Sequence, residues 1–152
     1  MSTTTTARPL RADATRPALA ALFGALVFAT TMTLGDVLDL QSDTQDTGLA
    51  FTELLLYVAF VLVAVSVATW LGARAWAGPP QRLARTALGL GIAAAVTFIG
   101  FWSGWPQVFG AVAVVLALEH RRRVGSFSAT TTTALVLGAL ALVGAGYLCV
   151  TG

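Results

Sequence analysis

Five apolar runs, parted by polar breaks, organise this chain. They occupy residues 17–35, 50–72, 86–102, 105–119 and 129–150. At 1.5 Å of rise per residue, about 20 apolar residues cross a hydrocarbon layer about 30 Å thick. The first, second and fifth runs meet that length, and the third sits at the lower limit of about 17. The fourth falls short, because its apolar part stops at Leu118, just before Glu119, His120 and Arg121 to Arg123. Only Ser103 and Gly104 separate the third run from the fourth. The pattern predicts an all-α fold: a polytopic transmembrane helix bundle of five spans, with segments three and four as a short hairpin and no soluble domain.

Breaks and starts follow local chemistry. Pro17 and Pro106 stand where a helix tolerates proline, in its first turn. Gly78, Pro79 and Pro80 end the second segment. Residues 1–16 carry a Thr run and no apolar periodicity, which predicts a disordered cytoplasmic tail before a transmembrane domain over 17–152. The first run is longer than a secretory signal core, and no small-x-small site follows it, so an uncleaved span is expected. The hairpin admits two topologies, two full crossings or a re-entrant dip. Trp102 and Trp105 flank its tip, and indoles favour the membrane–water interface, which selects two crossings.

Composition agrees with the bilayer as solvent. Of 152 residues, 57% are hydrophobic and 11% charged, against roughly 25% charged in a soluble domain. All base is Arg, and it falls in three clusters: Arg8, Arg11 and Arg16; Arg74, Arg82 and Arg85; Arg121, Arg122 and Arg123. Between the first two clusters, Asp36, Asp39, Asp43, Asp46 and Glu53 form an acidic stretch without a base. The positive-inside rule then places the N-terminus in the cytoplasm and the C-terminus outside, in a bacterial inner membrane. The absence of Lys beside abundant Ala, Gly and Val matches the codon usage of a GC-rich genome. With the basic residues flanking spans, no basic fold remains for nucleic acid.

Small residues at helical spacing mark packing faces, since helices in lipid associate where backbones approach closely. These are Ala20 and Gly24 in the first segment, then Gly89, Ala93, Thr97 and Gly100 in the third. Gly110, Ala113 and Ala117 follow in the fourth, and Ala134, Gly138, Ala141 and Ala145 in the fifth.

Few residues carry candidate chemistry. The Asp spacing of 3, 4 and 3 would place Asp36, Asp39, Asp43 and Asp46 on one helix face. It does not match an EF-hand loop, and a solvated acidic loop explains it. Glu53 lies about one turn inside an apolar helix, where an ionisable group is a proton- or cation-binding candidate; Thr31, Thr33, Thr52 and Gln107 are its possible neighbours. Arg121, Arg122 and Arg123 are candidates for anionic lipid headgroups. His120 adjoins them at a helix end, where a positive charge suits the dipole. Cys149 stands alone and suits a small buried hydrophobe. The Thr130 to Thr133 run can return hydrogen bonds to its own helix. There is no phosphate loop, nucleophile elbow, metal-ligand cluster or catalytic pair. No cofactor is implied. The expected function is a non-enzymatic scaffold or accessory subunit, with membrane lipids and other membrane subunits or a second copy as partners. The alternative is a small cation- or proton-linked transporter or channel-like protein using Glu53 and the Asp stretch.

Overall fold

The computed structural model describes the backbone of residues 11–37 and 51–151 and the side chains of residues 15–35 and 55–151. Among the described residues five α-helices follow one another: α1 Arg11–Val37, α2 Phe51–Trp76, α3 Pro80–Thr97, α4 Trp105–Val124 and α5 Ala129–Thr151. A 3₁₀ segment, Phe98–Ser103, continues α3. Among the described residues there is no strand.

At the arginine end, α1 to α4 run past their apolar stretches, because backbone hydrogen bonding does not stop where hydrocarbon does. Helix α1 starts at Arg11, inside the stretch expected to be a tail, so Pro17 lies within the helix and not in its first turn. Pro17 is fully buried. It packs on α2 so closely that a Cβ on Gly72 would lie 2.7 Å from the proline Cβ. Helix α3 begins at Pro80 with Pro79 as an extended N-cap. Helix α4 carries its charged end as helix through Val124, and Gly125 ends it in the left-handed conformation at φ 85°, with its N–H on the Arg121 carbonyl. Ser128 and Thr131 cap α5 reciprocally. The Ser128 Oγ accepts the Thr131 N–H at 3.3 Å, and Thr131 Oγ1 accepts the Ser128 N–H at 3.0 Å. Thr132 returns its hydroxyl to the Ser128 carbonyl, as the Thr run suggested.

The helices form a ring around one of their number. Helix α4 touches all four others, while α1, α2, α3 and α5 touch their neighbours in that circular order. Eight consecutive α4 residues, Pro106 to Ala113, are buried. A helix packed on one side buries a stripe, so an unbroken buried run means cover on every side. The four outer helices contain the segments long and apolar enough to cross a membrane: Thr15–Gly35, Leu55–Trp76, Pro80–Ser103 (with the 3₁₀ segment) and Ala129–Thr151. Helix α4 is shielded by them, so it tolerates a shorter apolar stretch and a charged end.

Close packing rests on glycine. A Cβ on Gly110 would lie 2.6 Å from the Gly138 carbonyl oxygen, and one on Gly138 would lie 2.8 Å from that of Gly110. The expected faces of α1, α4 and α5 are buried as read: Ala20 and Gly24; Gly110, Ala113 and Ala117; Ala134, Gly138, Ala141 and Ala145. The α3 face differs. Its buried residues are Leu83, Ala84, Ala87, Leu90, Gly91 and Ala94, whereas Gly89 is exposed, with nothing near its missing Cβ. The large apolar residues Ile92, Val96 and Ile99 are exposed beside it. In lipid, small residues turn toward neighbouring backbones and large ones toward acyl chains.

Candidate functional site

The described polar side chains buried in the bundle are Gln107, His120 and Thr131. Gln107 stands at the hairpin end of α4, His120 at the arginine end, and Thr131 at the α5 cap.

The hairpin tip builds the first cluster. Gly100 leaves helical geometry at φ −104°, ψ 52°, and Gly104 adopts φ 75°. Gly104 is required twice, for the left-handed turn and because a Cβ there would lie 2.9 Å from the Phe28 ring and 3.0 Å from Val61. The Trp105 indole N–H donates to the Phe60 carbonyl at 3.1 Å, and its ring lies 5.2 Å from that of Phe60. The tip is therefore level with Phe28, Phe60 and Val61. Val61 stands six residues inside Leu55, about 9 Å at helical rise.

The break leaves the Phe101 carbonyl outside a regular α-helix, where it accepts the Gly104 N–H at 3.5 Å and two side-chain donors also meet it. Gln107 Nε2 donates to it at 3.4 Å and also reaches Cys149 Sγ at 3.4 Å. The Cys149 thiol contacts the same carbonyl at 3.7 Å, and the Thr31 side chain is a further partner of the thiol. Thr31 also donates to the carbonyls of Val27 and Phe28. Gln107 is fully buried, and its Oε1 has no hydrogen-bond partner. Helices α1, α4 and α5 thus meet the 3₁₀ segment through one small network. Its long bonds describe a packed polar contact, in which the Cys149 thiol is the one titratable group among the described side chains.

Of Glu53's expected neighbours, Thr31 and Gln107 converge on Cys149, while Thr33 is exposed and bonds its own helix at the Ala29 carbonyl. Glu53 falls in the first turn of α2 and Asp36 in the last turn of α1. The side chains of Glu53, Asp36 and Thr52, and all of Asp39, Asp43 and Asp46, lie outside the described residues. Among the described residues no group of three His, Cys, Asp or Glu side chains could hold a metal ion.

The second cluster lies at the opposite end, where α1, α3 and α5 start and α2 and α4 finish. Seven described arginine side chains gather there with one carboxylate: Arg16, Arg74, Arg82, Arg85 and Arg121 to Arg123, with Glu119. Arg123 Nε donates to Glu119 at 2.9 Å, one helical turn away, and its Nη1 donates to the Gly78 carbonyl at 3.3 Å. Arg16 approaches the same carboxylate at 3.9 Å. The guanidinium carbons of Arg16 and Arg123 lie 5.8 and 5.5 Å from the ring centre of buried Trp76. This Arg–Trp–Arg stack ties the ends of α1, α2 and α4 together. Glu119 at i, i+4 from Arg123 is a spacing the sequence displays, but the Trp76 stack needs the fold.

The remaining arginines differ. Arg74 stacks over Trp70 at 4.7 Å and Arg121 over Phe127 at 4.8 Å. Arg82, Arg85 and Arg122 are exposed, and no ion pair, hydrogen bond or ring contact engages their guanidinium groups among the described residues. The triple-Arg run is thus divided: Arg123 is a structural tie, Arg121 rests on an aromatic face, and Arg122 is open. His120 is 7% exposed, and its Nδ1 has no partner; it is buried between helices at the arginine end of α4. No family model, curated protein or solved structure matches the chain.

Proposed function

We propose that the protein is a small, non-enzymatic integral membrane scaffold or accessory subunit of a bacterial inner membrane. Its arginine end faces the cytoplasm and its C-terminus the outside. It works by helix packing with other membrane subunits or a second copy of itself. One observation supports this reading over a conduit: the two polar clusters are separated by backbone-to-backbone packing. Gly110 and Gly138 meet between them, and Val112, Ala113, Leu116 and Ala117 carry α4 from one cluster toward the other without a polar atom on their side chains. A transported ion needs polar partners along its way, and that stretch offers none among the described side chains.

The test is assembly in mild detergent. The purified full chain should sediment as a homo-oligomer or as a complex of fixed stoichiometry. A lone monomer with no co-purifying subunit refutes the proposal. Cation or proton flux in reconstituted vesicles, lost on Glu53→Gln, would replace it with a transport function. Orientation is read separately: a periplasm-active phosphatase fused after α5 should be active, and one fused in the turn between α2 and α3 should not.

A further inference from the structure

We propose that the arginine end of α3 is a binding site for an anionic phospholipid, with Arg82 and Arg85 holding the headgroup phosphate and the exposed stripe below them holding an acyl chain. The proposal is independent of whether the bundle acts as a scaffold or a conduit, and rests only on its lying in a membrane.

Three observations converge. First, the cations are available. Glu119, the one described carboxylate at this end, is engaged by Arg123 and Arg16. The Arg82 and Arg85 guanidinium groups have no partner among the described residues, and Arg122 adds a third open guanidinium at the same end. Guanidinium suits phosphate because its planar donors meet two oxygens at once.

Second, the cations top a lipid-facing stripe. Arg85, Gly89, Ile92, Val96 and Ile99 recur at intervals of four, three, four and three, one face of a helix. All five are exposed, Ile99 by 83% and Val96 by 66%. Arg82 is three residues before Arg85, at the head of that face. Gly89 interrupts the stripe one turn below Arg85, and the space where its Cβ would project is open. The face therefore offers charge, a shallow notch and then apolar side chains, in the order in which a phospholipid offers phosphate, glycerol and acyl chain.

Third, the depth is right. Trp70, 57% exposed, carries Arg74 over its ring one turn nearer the end of α2. An outward indole with a cation above it marks the border between hydrocarbon and headgroups. The turn joining α2 to α3 is held in place by Arg123 on the Gly78 carbonyl. The Arg82 side chain packs over Gly78, so close that a Cβ there would lie 2.8 Å from the Arg82 Cδ. A free anion would use the charges but not the stripe, and this is what separates the two sources of phosphate.

The full chain, reconstituted in phosphatidylcholine vesicles, is titrated with spin-labelled phosphatidylglycerol and, in parallel, spin-labelled phosphatidylcholine. Each cation near an anionic headgroup corresponds to about a fivefold preference. The protein should therefore favour the anionic lipid by about fivefold or more, and less at raised salt. The double variant Arg82→Gln/Arg85→Gln should lose most of that preference, and Arg82→Lys/Arg85→Lys, which keeps the charge but not the two-oxygen contact, should keep part of it. Gly89→Leu, which leaves every charge in place, should weaken association by filling the notch. Equal association of the two lipids overturns the proposal, as does a preference that survives the Gln variant. Full competition by inorganic phosphate at constant ionic strength, with Gly89→Leu without effect, also overturns it, since the site would then bind a free anion. If the Gln variant loses its helical circular dichroism, the Lys and Gly89 variants decide alone.

Discussion

Replacing Gly110 by Ala adds one methyl group at the tightest contact between α4 and α5. Its Cβ would stand 2.6 Å from the Gly138 carbonyl oxygen, where ordinary contact begins near 3.4 Å. The overlap is about 0.8 Å against backbone, which no rotamer change relieves. A peripheral helix would slide outward, but α4 is enclosed by α1, α2, α3 and α5. Moving it from α5 presses it toward α1, where a Cβ on Gly24 would already lie 2.5 Å from the Gln107 carbonyl oxygen. The strain should cost about 1–3 kcal/mol, a fall of about 5- to 150-fold in the folded-to-unfolded ratio. Reversible unfolding of the purified chain in mixed micelles, followed by circular dichroism, measures it. Gly89→Ala is the internal reference, because that methyl meets nothing and helix propensity alone should leave it neutral or up to about 1 kcal/mol more stable. Gly138→Ala strains the same gap from the other side, so the double variant should cost less than the two singles together. If Gly110→Ala unfolds like wild type or like Gly89→Ala, the enclosed position of α4 is refuted.

Gln107→Leu should be neutral or stabilising in the same assay, since it removes a buried acceptor without a partner and two bonds of 3.4 Å; a loss above about 2 kcal/mol would mean that the network is worth more than its geometry implies. Ser128→Ala should cost about 1 kcal/mol by opening the reciprocal cap of α5, measurable as a lower unfolding midpoint, and an unchanged midpoint would refute the cap's contribution. Glu119→Gln should cost about 1 kcal/mol by releasing Arg123 and Arg16 from a mostly buried carboxylate, and the difference should shrink with salt; a salt-independent loss would point to packing instead.

Helix number and the hairpin break were legible because both are local. Ser103-Gly104-Trp105-Pro106 combines a left-handed residue with a proline start, and each residue announces its own conformation. The Arg clusters were legible for the same reason, and the structure gathers the described ones at a single end. What a helix faces is not local. Ala and Gly are so frequent in this chain that α3 presents small-residue stripes on two sides, and Gly89, Ala93, Thr97 and Gly100 form a regular one that is not the buried one. The better pointer was Ile92, Val96 and Ile99, whose bulk excludes them from a close backbone contact. At the candidate site, Gln107 was singled out by its type, but Cys149 and Thr31 lie 42 and 76 residues away in sequence. Only the ring closure of α1 and α5 around α4 brings them together.

The central place of α4 follows from what each helix offers to lipid. A helix in contact with acyl chains must be apolar along the whole thickness of the hydrocarbon. Helix α4 carries Gln107 in its first turn and Glu119, His120 and three arginines in its last two. Between them lies little more than half of the length that a lipid-exposed span needs. Surrounded by four helices with longer apolar spans, it faces their side chains for most of its length, and its backbone polar groups are satisfied within the helix. Its charged end emerges where Trp76 and the α2–α3 turn receive it through Arg123. The same enclosure explains why glycine recurs where α4 meets α1 and α5: a central helix adds its own diameter to the bundle, and the ring closes around it only if the backbones approach closely. Charge at the end of α4 and glycine at its flanks are two consequences of one position.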